Sequence, residues 1–194
     1  MTLSRWHLYA IGAVLAALAL TGVLYGITPK AVHAEAGPPA ALAPYAAAKT
    51  PLAVPQVAFS DAGGTRQSLA AFKGRYVLLN LWATWCAPCV RELPALAKLK
   101  SAIPKDRLSV VAVDVGRSTS ADARGFLDAH GAKALDAYVD SNIALLHAFS
   151  AYGLPLTVLI DPQGREIGRA VGPAQWDAPE AIEYFRSLTA AKPT

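Results

Sequence analysis

Sulfur-containing side chains are scarce in this chain of 194 residues, which has two cysteines and one methionine. The methionine is Met1, which argues against a methionine-rich copper site. A structural zinc site takes about four nitrogen, sulfur or oxygen ligands, but the four histidines are scattered and there is no second cysteine pair. The formal net charge of +4 comes without a basic stripe, so no nucleic acid partner is predicted. No metal or cofactor is predicted either.

The two cysteines are Cys86 and Cys89, and they stand together in the sequence CAPC. The apolar run at 76–85 predicts a buried strand before them, and residues 88–102 predict a helix after them. Free N–H groups and partial positive charge at a helix N-terminus favour a thiolate on Cys86. The pattern therefore favours a reversible dithiol/disulfide site. A structural zinc site and a purely structural disulfide are the alternatives, although so short a loop restricts the unfolded chain little.

The N-terminal region predicts export. Residues 8–27 form an apolar run with no charged side chain, and as a helix they would span about 30 Å, the thickness of one hydrocarbon core. Arg5 precedes the run, which predicts a cytoplasmic N-terminus at 1–7 and a signal-anchor helix at 8–27. The alternative is a cleaved signal peptide, with residues 32–34 as the cleavage site. Both interpretations place the rest of the chain outside the cytoplasm.

The composition changes after the apolar run. Residues 28–55 contain six prolines among many alanines, which predicts an extended linker. Residues 56–190 are long enough for one domain with its own core, and residues 191–194 are a tail.

The domain alternates strands and helices. The predicted elements are a hairpin of 56–60 and 65–68 around a turn at 61–64, strands at 75–82, 108–115, 135–139, 156–160 and 165–171, and helices at 88–102, 120–130, 142–152 and 177–190. Buried strands separated by helices predict an α/β fold with a central mixed sheet.

These segments carry a family resemblance. The sequence NLWATWCAPC at 80–89, followed by ELP at 92–94, resembles the thioredoxin superfamily, and more closely the TlpA/ResA-type membrane-anchored thioredoxin-like proteins. GLPLT at 153–157 and DPQG at 161–164 match the later half of that pattern. GPAQW at 172–176 resembles the TlpA branch in particular. The resemblance implies a thioredoxin-like fold with an extra N-terminal hairpin and a central αβ insertion.

The resemblance also implies roles for individual residues. Cys86, at the end of its helix, is expected to attack a client disulfide, and Cys89, one turn further in, to resolve the mixed disulfide. Pro155 resembles the family's cis-proline, beside which the backbone of Leu154 would pair with a client strand. Glu92 falls where the family has a functional glutamate that can exchange a proton during resolution. The alternatives are a loop proline at 155 and a solvated helix carboxylate at 92.

Further residues are expected to support the site. Asn80 occupies the position of the buried acid of plain thioredoxin, and because it cannot ionise it is expected to orient a water or bridge backbone, or else to be a merely structural amide. Trp82 and Trp85 are expected to shield the disulfide and shape the docking surface, with core packing as the alternative. Ala87 and Pro88 place no cation between the cysteines, which favours a reductant over an oxidant.

The function predicted from these residues is a thiol–disulfide oxidoreductase, tethered to the bacterial inner membrane by a single span with its catalytic domain in the periplasm. Resemblance to the TlpA branch implies exported clients in cytochrome oxidase copper-centre assembly, and resemblance to the ResA type implies the haem-site cysteines of apocytochrome c. A membrane electron donor of the DsbD/CcdA type would re-reduce the protein. The alternatives are a non-catalytic copper metallochaperone and a general oxidase or isomerase.

Overall fold

Eight strands form one mixed sheet in the computed structural model, which describes residues 37–190. The strands are β1 (Tyr45–Ala53), β2 (Ala58–Ser60), β3 (Arg66–Ser68), β4 (Tyr76–Trp82), β5 (Leu108–Asp114), β6 (Tyr138–Val139), β7 (Leu156–Ile160) and β8 (Arg165–Val171). The α-helices are α1 (Ala87–Ala102), α2 (Ser120–Ala129), α3 (Ala144–Ala148) and α4 (Pro179–Leu188), and short 3-10 turns lie at Ala40–Leu42 and Leu69–Phe72.

The order of the strands across the sheet is β1-β8-β7-β4-β5-β6-β2-β3. β4, β5 and β6 run parallel, whereas β7 is antiparallel to β4 and to β8. The predicted mixed sheet is therefore confirmed. The predicted hairpin is β2 and β3, which closes one edge of the sheet by pairing with β6. The predicted αβ insertion is α2 and β6, which lie between β5 and β7 in the chain.

The central strand β4 separates two apolar layers. Its side chains alternate between the faces, as the twofold period of a strand requires. Leu78 and Trp82 pack with α1, α2 and α4, whereas Leu79 and Leu81 pack in a second layer that includes Leu145 of α3. Asn80 belongs to the same alternation as Leu78 and Trp82, so its amide faces α1.

Two elements between β5 and β7 are shorter than the sequence predicts. The strand predicted at 135–139 covers only β6, and the helix predicted at 142–152 covers only α3. Ile143 and Ser150 both adopt left-handed backbone conformations, with φ of 53° and 51°, and an α-helix cannot continue through such residues. The carboxylate of Asp140 accepts the N–H of Leu145 at 2.7 Å and so satisfies the start of the short helix.

The linker prediction for 28–55 is wrong over β1, because these residues pair antiparallel with β8 at the edge of the sheet. Tyr45 fixes the strand in place: its side chain is buried, and its phenol ring packs over Gly168 of β8. Most of the other β1 residues are exposed, so the strand carries no apolar alternation that the sequence could show. The predicted segments 1–7, 8–27 and 191–194 lie outside the described residues, as does 28–36 of the linker.

The contact between Tyr45 and Gly168 gives a prediction about stability. A Cβ built on Gly168 would overlap the Tyr45 phenol. We expect Gly168→Ala to lower the free energy of unfolding by about 1–3 kcal/mol, the usual cost of overpacking a buried contact. Denaturation of the full chain in urea, followed by tryptophan fluorescence, measures this change.

Gly125→Ala is the matched control. Gly125 lies in α2, is exposed, and has no atom within 4 Å of a built Cβ. There the same substitution should raise the free energy of unfolding by about 0.5–1 kcal/mol, because alanine loses less conformational freedom in a helix than glycine does. Equal effects at the two positions would show that Tyr45 does not hold β1 through Gly168.

Within residues 37–190, no helix combines the length and the apolar character that a membrane span requires.

Candidate active site

Cys86 and Cys89 form a disulfide at the N-terminus of α1, which follows the C-terminal end of β4 at one end of the sheet. Cys86 is the N-cap residue, and its Sγ accepts the backbone N–H of Cys89 at 3.4 Å. Cys86 keeps 5% of its surface exposed and Cys89 keeps none. The first turn of α1 contains no acidic residue that would oppose a thiolate at this helix end. The predicted order of accessibility agrees with the structure, although Cys86 is more enclosed than expected.

Glu92 lies one turn after Cys89 in α1 and is buried, with 3% of its surface exposed. Its Oε1 accepts the side-chain N–H of Asn80 at 2.8 Å. Its Oε2 accepts the indole N–H of Trp176 at 2.9 Å and the backbone N–H of Ala174 at 3.2 Å. The alternative of a solvated helix carboxylate is therefore wrong.

Two strands and a distant loop assemble this network. Asn80 of β4 is paired with Thr157 of β7 in the antiparallel register, so both side chains point to the α1 face. The Asn80 amide donates to Thr157 Oγ1 at 2.9 Å as well as to Glu92. Asn80 Oδ1 is buried and has no hydrogen-bond partner within residues 37–190. Asn80 is thus an orienting amide for the carboxylate of Glu92.

Burial raises the pKa of the Glu92 carboxyl above its usual range, although the hydrogen bonds from Trp176, Asn80 and Ala174 oppose the shift. A carboxyl whose pKa is moved towards neutral pH can both accept and return a proton under physiological conditions. Cys89 and Glu92 are three residues apart, a spacing that places two side chains on the same face of a helix. The arrangement therefore suits proton exchange with the inner thiol.

The Leu154–Pro155 peptide bond is cis, as the resemblance implies. Pro155 is buried, and its carbonyl accepts the backbone N–H of Gly172 at 2.9 Å. Leu154 is partly buried and packs against both apolar layers. This hydrogen bond between Pro155 and Gly172 joins the cis-proline loop to the segment 172–176. The same segment contains Trp176, which donates to Glu92.

The other predicted site residues divide into core and surface. Trp82 is fully buried and packs against Phe126 at a ring-centroid distance of 5.6 Å, so the core-packing alternative is correct for it. Trp85 is 70% exposed, as expected of a docking residue. Ala87 is exposed and Pro88 half-buried in the first turn of α1.

Sequence reasoning missed two members of the network, Thr157 and Trp176. Thr157 could have been found from the pairing of its strand with the strand of Asn80. Trp176 lies 84 residues from Glu92 in the chain. Apart from the resemblance of the segment 172–176, nothing in the neighbouring sequence indicates that its indole is fully buried.

Within the part of the chain that the structure describes, no group of three or more His, Cys, Asp or Glu side chains is arranged to hold a metal ion. A disulfide at a helix N-terminus, a buried carboxyl with a raised pKa and a cis-proline lie at one end of a mixed sheet. The fold and the site define a thiol–disulfide oxidoreductase of the thioredoxin fold.

The model of the Redoxin family matches residues 48–184, and the chain belongs to that family. It is 33% identical over 118 residues to the thiol-disulfide oxidoreductase ResA of Bacillus subtilis, an alignment covering 61% of this chain and 65% of the relative. The ResA protein of Geobacillus thermodenitrificans is 33% identical over 121 residues, covering 60% of this chain and 68% of the relative. The chain thus spans about two thirds of the length of these relatives. The TlpA/ResA-type resemblance is confirmed, and the closer likeness to the TlpA branch stays a prediction.

A solved structure shares the architecture. It is the crystal structure of a Chlorobium tepidum protein assigned as the thiol:disulfide interchange protein DsbE, with a TM-score of 0.63 and 25% sequence identity. The superposition covers 74% of this chain and 99% of that protein. The thioredoxin-like fold predicted from the sequence is therefore confirmed.

Proposed function

We propose that this protein is a membrane-tethered periplasmic reductant of disulfides in exported proteins, with clients in cytochrome oxidase copper-centre assembly. The observation that carries the proposal is the Cys86–Cys89 pair at a helix N-terminus, with the buried carboxyl of Glu92 one turn behind it. The apolar run at 8–27 supports the tether and the periplasmic location. The likeness of 172–176 to the TlpA branch supports the choice of clients.

The reaction begins with the dithiol form of the protein. The Cys86 thiolate attacks one sulfur of the client disulfide, and the other client sulfur leaves as a thiolate that takes up a proton. The Cys89 thiol then passes its proton to Glu92 and attacks Cys86 Sγ. The bond between Cys86 and the client breaks, and the second client thiolate is protonated. The client has gained two electrons and two protons, and the protein has become the disulfide seen here.

The direction of electron flow follows from what surrounds Cys86. Ala87 and Pro88 supply no cation between the cysteines, so within this loop the thiolate is stabilised by the helix N-terminus alone. A dithiol that is stabilised less is a stronger reductant. A membrane donor of the DsbD/CcdA type would then restore the dithiol after each cycle.

Apocytochrome c, with its haem-site cysteines, is the second candidate client. The identity to ResA-type relatives favours it.

Equilibration of the full chain with dithiothreitol redox buffers tests the proposed direction. Tryptophan fluorescence can report the transition, because Trp85 precedes Cys86 and Trp176 contacts the network behind it. We expect one two-electron transition with a midpoint near about −270 mV, close to that of thioredoxin, and no transition in the Cys86→Ser/Cys89→Ser variant. A midpoint near about −120 mV, typical of a strong oxidant, would reverse the direction. Tight stoichiometric Cu(I) binding without a redox transition would favour a metallochaperone.

A further inference from the structure

The exposed large apolar side chains are unevenly placed. Within residues 37–190 they are Leu52, Trp85, Tyr152 and Val171, with 68%, 70%, 99% and 62% of their surfaces exposed. Scattered exposed apolar residues need no explanation, but a cluster of them marks an interaction surface.

Three of the four lie at the end of the sheet that carries the disulfide. Trp85 follows the C-terminal end of β4, and β7 runs antiparallel to β4, so Tyr152, which precedes β7, lies at the same end. Val171 ends β8 opposite Leu156, the first residue of β7. Leu52 pairs with Glu166 near the other end of β8.

A cleft of about 260 Å³ lies between two of these side chains. Tyr152, Leu156 and Val171 are among the residues that line it. Arg169 also lines it, but its guanidinium is paired with Glu166 at 2.6 Å. The cleft is continuous with the cis-proline loop, since Gly153 belongs to its lining and precedes Leu154. An apolar side chain of a bound client could therefore enter it while the client backbone lies along Leu154.

Positively charged side chains lie on the segments next to the disulfide. The segments 83–91, 115–119, 149–155 and 171–176 contain no aspartate or glutamate, whereas the first two contain the exposed Arg91 and Arg117. Neither arginine forms an ion pair with any residue in 37–190.

The nearby acidic side chains form no ion pair with either arginine. Glu92 and Asp114 are buried, and Asp114 Oδ1 accepts the N–H of Gly116 at 2.6 Å. Asp122 is held in the capping box at the start of α2, and Asp177 is paired with Lys98 at 2.8 Å.

Both arginines lie on segments next to the disulfide. The loop that carries Arg117 runs beside the Trp85 indole, since a Cβ built on Gly116 would lie 3.3 Å from Trp85 Nε1. Arg91 lies one helical turn after the exposed Ala87, which follows Cys86.

We propose that this surface selects client segments in which apolar and acidic side chains flank the reactive cysteine. The occupant is an extended segment of the client polypeptide, and charge complementarity to Arg91 and Arg117 identifies its chemistry. Tyr152 and Trp85 are the apolar anchors, because large exposed aromatic rings supply most of the energy at such contacts. This inference rests on the proposed function and adds the class of substrate to it.

Reduction of model peptides tests the proposal. The reduced full chain is mixed with two peptides that each contain one disulfide and apolar flanks, and that differ only in carrying acidic or basic residues near the cysteines. We expect the acidic peptide to react about tenfold faster at low salt, with the preference shrinking towards unity in high salt as the charges are screened. Equal rates at low salt would overturn the docking proposal.

A small neutral disulfide distinguishes a failure of the docking proposal from a failure of the proposed function. Bis(2-hydroxyethyl) disulfide offers no side chains to the surface, so its rate reports the chemistry of the cysteines alone. If the protein reduces it while showing no peptide preference, the docking proposal fails and the proposed function stands. If the protein reduces neither this compound nor the peptides, the proposed function fails and the docking proposal fails with it.

Two pairs of variants test which residues select the client segment. Arg117→Glu should reduce the preference for the acidic peptide at least about threefold, whereas Arg107→Glu should keep it, because the exposed Arg107 precedes β5 at the opposite end of the sheet. Tyr152→Ser should lower the rate with apolar-flanked peptides about tenfold relative to bis(2-hydroxyethyl) disulfide. Leu52→Ser, at an equally exposed apolar position away from the disulfide, should leave that ratio unchanged. Matching effects within either pair would contradict the surface proposed.

Discussion

A Cys89→Ser variant is expected to retain its client as a stable mixed disulfide on Cys86 and to lose essentially all turnover. Cys86 is the residue of the pair that keeps some exposed surface and is expected to attack, but the buried thiol that would break the new bond is gone. Non-reducing gel electrophoresis of the purified full chain should show a covalent adduct that disappears on reduction. Mass spectrometry of that adduct names the client and so decides between copper-centre assembly factors and apocytochrome c.

Cys86→Ser is the matched control for the trap. It leaves only the fully buried thiol, which has no access to a client, so no adduct should accumulate. Equal amounts of adduct on the two variants would mean that the roles of Cys86 and Cys89 are not those assigned here.

Glu92→Gln is expected to slow disulfide exchange about tenfold near neutral pH. This is below the 10²–10⁴ that a positioned acid or base typically supplies, because the Cys89 thiol also ionises unaided as the pH rises. In the natural protein, exchange should accelerate as the pH rises through the raised pKa of Glu92, since only the carboxylate can take the Cys89 proton. The exchange rates of the two proteins should converge at high pH. Stopped-flow fluorescence across pH 5–10 measures the rates on both sides of the Glu92 titration. Parallel profiles at all pH values would remove Glu92 from the reaction.

The stability of the same variant distinguishes proton transfer from a structural role. A carboxyl whose pKa is raised by folding favours the folded state when protonated, so this contribution is lost as the pH rises from the ordinary carboxyl range through the raised pKa. The glutamine of the Glu92→Gln variant does not titrate, so the variant does not lose this contribution. Its free energy of unfolding should therefore rise relative to that of the natural protein as the pH approaches neutrality. The glutamine can be accommodated, because Asn80 Oδ1, which has no hydrogen-bond partner within residues 37–190, can accept its side-chain N–H after the Asn80 amide turns.

Local patterns predicted the centre of the fold. The strands β4, β7 and β8 and the helix α1 fall within a residue or two of their predicted bounds, since long apolar runs and turn residues define them. The strand β1 was missed because alanine and proline give it no alternation, and its pairing partner β8 is distant in the chain. The short α3 was overestimated because the left-handed conformations that limit it occur at an ordinary isoleucine and an ordinary serine.

In the site, as in the fold, the sequence predicted the local motifs but not the tertiary contacts. The cysteine pair and the proline are defined by local motifs: the sequence predicted the redox pair, and the family resemblance implied the cis bond. The environment of Glu92 depends on tertiary contacts, because two of its three donors lie 82 and 84 residues away in the chain. Burial and the raised pKa of a helix carboxylate cannot be obtained from residue spacing alone.

The central claim is that the Cys86–Cys89 pair gains and loses electrons in the cell. Rapid acid quenching of growing cells, followed by alkylation with a mass-tagged maleimide, measures the fraction of the full chain that carries free thiols. The account predicts that the dithiol form predominates while a DsbD/CcdA-type donor is present, and that the disulfide accumulates when the donor is removed. A disulfide that persists unchanged in both strains would contradict it.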